Sequence, residues 1–120
     1  MQSYKELKVY KEAYMQVKRV YEIAKKLPSE ERYELSSQIR RASVSIPLNI
    51  AEGYGKVETG KELIRYLSIA RGSSAEMEVL LDLIYDFGYV NESEYAEMKE
   101  RQERVGKMLT GLIRSITSKS

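Results

Sequence analysis

The side chains able to carry out chemistry are few, because the 120-residue chain contains neither cysteine nor histidine. Their absence excludes thiol nucleophiles, disulfides, metal sites built on these residues and a Ser-His-Asp triad. Among the carboxylates, Glu52, Glu76 and Glu78 are the candidates to hold Mg²⁺ together. The chain has neither the Glu-x-x-His pair of di-iron bundles nor a phosphate-binding glycine loop. We predict a protein that is not an enzyme and has no cofactor, with a carboxylate–Mg²⁺ site as the alternative.

Basic side chains concentrate in residues 1–28, which carry seven basic and three acidic groups although the whole chain has a net charge of only +2. The candidates for contact with nucleic-acid phosphates are Lys8, Lys11, Lys18, Arg19 and Lys25. Such contacts are independent of base sequence and sensitive to salt. No helix-turn-helix or other DNA-reading motif accompanies them. The alternative interpretation is an ordinary solvated helix face.

Polar side chains also interrupt the predicted core. Five of them follow one edge of the second predicted helix at steps of three or four residues: Gln38, Arg41, Ser45, Asn49 and Glu52. In the third predicted helix, Gly72 and its small neighbours predict a close helix crossing, because small side chains let another backbone approach. A glycine inside a helix costs about 1 kcal/mol relative to alanine, so such a packing role would explain its presence. We favour a structural network in which Arg41 pairs with Glu52 and with hydroxyls such as that of Ser74. A ligand site is the alternative.

Four helices must position these side chains. Apolar residues at three- and four-residue steps predict helices over residues 4–26, 29–53, 59–87 and 91–116. In the first helix the predicted apolar stripe is Leu7, Tyr10, Tyr14, Val17, Tyr21 and Ala24, so its tyrosines are assigned to the core. No segment alternates as a strand does. The predicted fold is an all-α, antiparallel up-down-up-down four-helix bundle forming one domain over residues 1–120.

Local signals set the predicted helix ends. The predicted N-caps are Ser29, Thr59 with Glu62, and Asn91 with Glu94. The predicted stops are Pro28, Gly53 with Gly55, and Gly88, and Pro47 is predicted to lie inside a bent second helix. The chain opens on polar residues, and no apolar run approaches the roughly 20 residues of a membrane span. We therefore expect a cytoplasmic protein without a membrane partner.

Several segments resemble one known family. They are Leu27-Pro28 with Glu31 and Leu35, the block 38–53 with its Arg40-Arg41-Ala42, and the segments 66–76 and 107–113. Together they resemble the four-helix bundle family also called 23S rRNA intervening-sequence or S23 ribosomal proteins. The resemblance implies the bundle fold, whereas the biochemical function of that family is not established.

Relatives of this family suggest two roles. Related bundles form ring-like homopentamers, and one related group is a basic accessory protein of diversity-generating retroelements that binds nucleic acid and a reverse transcriptase. From the resemblance and the ten tyrosines, we expect a non-catalytic oligomeric scaffold or binding protein, with a homopentamer favoured and a further protein as a candidate partner. The alternative is an accessory protein that binds RNA or DNA through its basic first helix.

Overall fold

Four long helices make up most of the protein. The computed structural model describes residues 3–56 and 58–119. They are α1 (Lys8–Ala24), α2 (Leu35–Lys56), α3 (Gly60–Asp86) and α4 (Glu92–Lys119). Single 3₁₀ turns at Tyr4–Glu6 and Ser29–Glu31 lead into α1 and α2. No strand occurs in the described part of the chain, so the all-α prediction is confirmed.

Helices that follow one another in sequence pack side by side, and α1 closes the arrangement against α4. Hydrogen bonds mark three of these seams: Ser73 to Ser45 between α3 and α2, Gln102 to Ser74 between α4 and α3, and Gln16 to the Met98 carbonyl between α1 and α4. These contacts are compatible with an up-down-up-down order. The bundle measures 46 × 23 × 20 Å, and across residues 3–56 and 58–119 no helix has the length and apolarity of a membrane span.

The predicted starts of α3 and α4 and the predicted end of α3 agree with the structure because short-range contacts set them, whereas α4 continues past the predicted end at residue 116 to Lys119. Thr59 Oγ1 accepts the Glu62 N–H at 3.2 Å. Asn91 and Glu94 form a reciprocal capping box, with bonds of 2.8 and 3.1 Å from each backbone N–H to the other side chain. Gly88, which follows the C-cap Phe87 of α3, adopts a φ of +79°, a conformation that glycine accepts without strain.

The start of α2 differs from the prediction. Ser29 does not cap the helix but lies in a 3₁₀ turn, in which the Arg32 N–H reaches the Ser29 carbonyl at 3.1 Å. The α-helix begins six residues later, at Leu35, whose N–H points at the Glu31 carboxylate at 3.4 Å. The chain therefore makes one tighter turn after Pro28 before it adopts α-helical hydrogen bonding.

The prediction that Gly53 ends the second helix is wrong, because Gly53 is a packing position inside that helix. The helix continues to Lys56, and a Cβ on Gly53 would lie 2.9 Å from Leu63 Cδ1 and 3.1 Å from Tyr66 Cβ. The close approach of α2 and α3 thus occurs at Gly53. The predicted crossing at Gly72 and its small neighbours holds only for the neighbours: Gly72 is exposed and a Cβ there would meet nothing within 4 Å, whereas the buried Ser73 donates to Ser45 of α2 at 2.8 Å. Pro47 lies inside one continuous α2, as predicted.

The predicted apolar stripe of α1 is rotated away from the core. The buried side chains of α1 are Val9, Ala13, Gln16, Val20 and Ile23. The predicted stripe lies next to them on the side of α2, where Leu7, Tyr10, Val17 and Ala24 are half-buried while Tyr14 and Tyr21 are exposed. Tyrosine combines an apolar ring with a hydrated hydroxyl, so it settles at the margin of a core. The predicted stripe of α2 is buried as expected: Leu35, Ile39, Ala42, Ile46 and Ile50.

A candidate nucleic-acid interface along the first helix

Five exposed residues alternate between lysine and tyrosine along one line of α1. They are Lys11, Tyr14, Lys18, Tyr21 and Lys25, which we call the lysine–tyrosine strip. Their spacing of three and four residues places them one above another on the helix surface. Tyr14 is 51% exposed and Tyr21 44%. At 1.5 Å per residue, the strip is about 21 Å long.

The predicted phosphate contacts fall into two groups. Lys11, Lys18 and Lys25 lie on the strip, and none of them forms a salt bridge with a described residue. Lys8 is also exposed, but at 100° per residue it lies about 80° away around the helix. The structure therefore brings three of the five predicted cations together.

Arg19 is the predicted contact that the structure excludes from this surface. It points toward α4, where its Nε donates to Glu97 at 3.1 Å and its guanidinium approaches Glu94 at 3.8 Å. Lys26 also binds Glu94. Together with the Asn91 N–H, that lysine holds the pKa of Glu94 below its ordinary value. These cations tie α1 to α4 and are already neutralised.

Two arginines, one just before α2 and one within it, add positive charge at one end of the strip. Lys25, Arg32 and Arg40 line an open depression of about 440 Å³ together with the hydroxyl-bearing Ser29 and Ser36. No carboxylate is among its described lining residues. The Arg40 Nε donates to the Ser36 carbonyl at 3.1 Å, which fixes the side chain. The depression concentrates three positive charges beside the last turn of α1. The sequence analysis missed Arg32 and Arg40 because they belong to another element.

Two further depressions continue along the α1–α2 boundary. One of about 470 Å³ is lined by Tyr21, Arg40, Arg41 and Glu52, among others. The next, of about 330 Å³, is mostly apolar and is lined by the rings of Tyr4, Tyr10 and Tyr14 together with Lys18, Val44, Pro47 and Leu48. Neighbouring depressions share lining residues, so they form one groove beside the strip. Its character changes from basic at Lys25 to aromatic at Tyr14.

The aromatic end of the groove is packed as a cluster. The centroids of the Tyr4 and Tyr10 rings lie 5.1 Å apart, edge to face, and those of Tyr10 and Tyr14 lie 5.9 Å apart. Burial raises the pKa of Tyr10, and the neighbouring Tyr4 and Tyr14 raise it further by smaller amounts. The Lys18 ammonium lies 5.5 Å from the Tyr14 centroid, within cation–π range. These contacts support the Tyr14 ring from behind and leave half of its surface exposed.

The predicted polar network on α2 forms only in part. Asn49 donates to the Ser45 carbonyl at 2.8 Å and to its hydroxyl at 3.1 Å. The prediction that Arg41 pairs with Glu52 is wrong, because Arg41 is exposed and neither has a partner among the described residues. Eleven residues separate the two, about 16 Å along the helix, whereas ion pairs within a helix join residues three or four apart. Gln38 is also exposed.

Ser74 joins a different network, one that the sequence analysis missed. Its hydroxyl accepts from Gln102 Nε2 at 2.9 Å, and Gln102 Oε1 in turn accepts from Gln16 Nε2 at 3.1 Å. Gln16 also donates to the Met98 carbonyl at 2.7 Å. All three side chains are buried, so the chain of bonds fixes the register of α1, α4 and α3. The sequence does indicate this network, because Gln16 and Gln102 occupy positions that the three- and four-residue apolar spacing of their helices places in the core.

The carboxylates proposed as a Mg²⁺ site stand apart. Glu52 is half-buried on α2, Glu76 is exposed on α3, and Glu78 lies 3.9 Å from the Lys99 ammonium. Over residues 3–56 and 58–119, no three acidic side chains gather closely enough to hold a metal ion. The structure therefore gives this alternative no geometric support.

Comparison with known proteins places the chain among related bundles. The model of a family described as 23S rRNA-intervening sequence protein matches residues 5–111. A crystal structure from Bacteroides thetaiotaomicron VPI-5482 is described as a protein of unknown function from the S23 ribosomal protein family. It is 25% identical, with a TM-score of 0.80 over 88% of this chain and 95% of that chain. The comparison with curated proteins gave no significant match. Neither description states an activity.

Proposed function

Since the chain belongs to the family of 23S rRNA-intervening sequence proteins, we propose that it is a non-catalytic binding protein that takes nucleic acid on its first helix. The observation that carries the proposal is the lysine–tyrosine strip, whose three ammonium groups have no carboxylate partner among the described residues. A solvated face with no ligand is usually built from charges of both signs. Of the acidic groups of α1, Glu12 is bound by Arg104 at 3.0 Å, and Glu22, whose side chain is 66% exposed, lies 3.9 Å from Arg19.

The charges set the expected strength of the salt dependence. Lys11, Lys18 and Lys25 are seven residues apart, which is about 10.5 Å along the helix. With Arg32 and Arg40, which line the groove beside Lys25, they supply five cations on the strip and the groove together. Each neutralised phosphate contributes a slope of roughly −0.7 to −0.9 in a plot of log affinity against log salt. Full engagement therefore predicts a slope of about −4.

Charge reversal on the strip tests the proposal. Lys11→Glu combined with Lys18→Glu should weaken RNA binding and reduce the magnitude of the salt slope by roughly 1.4 to 1.8, because two phosphate contacts are lost. The matched control is Arg71→Glu with Lys107→Glu, which changes the charge equally at exposed positions between α3 and α4. Binding is measured by fluorescence anisotropy over a salt series. Equal losses in both double variants would show a non-localised effect of net charge and would contradict the strip as the site.

A second function, as an oligomeric scaffold, is favoured by apolar side chains on the outside of α3. Ile69, Val79, Leu83 and Phe87 are exposed, with Val79 at 60% and Phe87 at 58%. At 100° per residue these four fall within an arc of about 80°. Exposed apolar patches of this kind commonly mark protein contacts. We propose self-association through this face, with a homopentamer as the expected assembly.

Light scattering after size-exclusion chromatography tests the scaffold function. The unchanged protein should elute as an oligomer, and Val79→Glu with Leu83→Glu should convert it to a monomer. The control, Glu52→Lys with Lys18→Glu, leaves the α3 face intact and should remain oligomeric. A monomer for the unchanged protein at all concentrations tested would refute self-association. That result would leave the nucleic-acid proposal unaffected.

A further inference from the structure

We infer that the nucleic acid is single-stranded, with unpaired bases stacked on Tyr14 and Tyr21 and with phosphates held by Lys25, Arg32 and Arg40. The inference rests on the proposed nucleic-acid function and specifies which form of nucleic acid the groove takes. It adds tyrosines that the sequence analysis assigned to the core, Arg32 from the segment before α2, and Arg40 from α2.

The alternation of the strip distinguishes a single strand from a duplex. A duplex presents its phosphates outward and keeps its bases stacked inside, so it requires cations alone from a helix lying on its backbone. Tyrosine rings between the lysines supply a different contact, because an unpaired base stacks on an aromatic face whatever its identity. Two of the ten tyrosines are placed between these lysines and remain about half exposed.

The dimensions fit a short strand. The strip is about 21 Å long, and stacked nucleotides advance about 3.4 Å each, so it spans about six nucleotides. Tyr14 and Tyr21 are seven residues apart, about 10.5 Å, which corresponds to about three nucleotides. Two rings at this separation hold two bases of one strand and leave those between them over the groove.

The charge distribution orients the backbone toward α2. The depression beside Lys25 has three cations and, among its described lining residues, no acid. Arg40 is held through its Nε, so its two terminal nitrogens remain to donate to a phosphate. Glu52 lies at the other end of the neighbouring depression, where a phosphate is repelled. The backbone is therefore expected to run past Arg32 and Arg40, with the bases on the α1 side.

Three labelled ligands test the inference: an eight-nucleotide uridine RNA, the thymidine DNA of the same length, and a blunt RNA duplex. At moderate salt the RNA strand should bind at least tenfold more tightly than the duplex. Combining Tyr14→Leu with Tyr21→Leu should weaken strand binding about tenfold for each ring and leave duplex binding unchanged. Tyr33→Leu, which removes an 82% exposed ring that lines none of the groove depressions, is the matched control.

A second pair of variants tests the phosphate end. Lys25→Gln with Arg32→Gln should weaken strand binding and reduce its salt slope by about 1.4, whereas Arg71→Gln with Lys107→Gln should change neither. Binding of RNA and DNA strands alike supports stacking as the main contact, and a preference for RNA supports an additional contact to the 2′-hydroxyl. Melting curves establish that all variants are folded.

The outcomes separate this inference from the proposed function. Equal affinity for duplex and strand, with no effect of the tyrosine substitutions, would overturn the single-strand inference. Salt-dependent binding that is lost on reversing Lys11 and Lys18 would still support the broader function in that case. Failure of every ligand to bind at low salt would refute both.

Discussion

Alanine substitutions at two glycines, Gly53 and Gly72, test how closely α2 and α3 approach each other. Both glycines lie inside helices, so alanine improves helix propensity by about 1 kcal/mol at either position. At Gly72 the added methyl group meets nothing within 4 Å, and the full gain is expected. At Gly53 it would lie 2.9 Å from Leu63 Cδ1 and 3.1 Å from Tyr66 Cβ. Leu63 can rotate, but the Tyr66 Cβ is fixed to its backbone, so the helices must separate.

The expected magnitude is the difference in unfolding free energy between the two variants, because the propensity gain is common to both. Overpacking of this kind costs about 1–3 kcal/mol. The entropy of unfolding is roughly 2.1 cal/mol/K per residue, which for 120 residues is about 0.25 kcal/mol/K. Gly53→Ala should therefore melt about 4–12 °C below Gly72→Ala.

Thermal and urea unfolding, followed by circular dichroism at 222 nm (a helix signal), measure this difference at a single protein concentration. Gly72→Ala should also melt about 4 °C above the unchanged protein. If Gly53→Ala is as stable as Gly72→Ala, α2 and α3 are further apart than the structure places them. A loss of stability in Gly72→Ala would mean that the outward side of Gly72 is covered and not open to solvent.

Three further predictions concern the polar contacts. Gln102→Leu should cost about 1–3 kcal/mol by stranding its buried partners, and adding Gln16→Leu should cost less than the sum, which a double-mutant cycle measures. Lys26 lowers the pKa of Glu94 in the folded protein. The pair therefore stabilises the fold fully at pH values above the ordinary glutamate pKa of about 4.3, and this stabilisation is lost as the pH falls through the lowered pKa. Melting temperatures of Glu94→Gln should accordingly lie below those of the unchanged protein at pH 7, and the difference should vanish once the pH is below the lowered pKa. Arg41→Ala should change the unfolding free energy by less than about 0.5 kcal/mol in urea titrations, and a loss of several kcal/mol would show that Arg41 is paired.

The candidate site was predicted only where one helix supplies it. Lys11, Lys18 and Lys25 were identified because their spacing of seven residues is visible along the chain. Arg19 has a similar position in the sequence, but carboxylates of α4 bind it. No pattern within α1 indicates which side of the helix faces α4. Only the packed structure therefore shows that Arg19 is excluded from the phosphate-binding surface.

The tyrosines show a second limit of sequence analysis. Two adjacent lines of α1 carry apolar residues at helical spacing, one with Val9 and Val20 and one with Tyr14 and Tyr21. Periodicity alone does not decide between them, because both satisfy the same three-and-four pattern. The bundle buries the aliphatic line, since branched side chains pack without a hydroxyl that needs a partner. The tyrosine line is left beside the lysines.

The sequence by itself determined the features that depend on neighbours within a few residues. These are the four helices, the caps at Thr59 and Asn91, and the turn at Gly88, whose hydrogen bonds or backbone dihedral angles are local. The tertiary structure decided which face of α1 is buried, which cations are neutralised, and that Arg32 and Arg40 complete a groove begun by Lys25. Those features depend on contacts between residues far apart in the chain, and helical periodicity does not encode which faces meet.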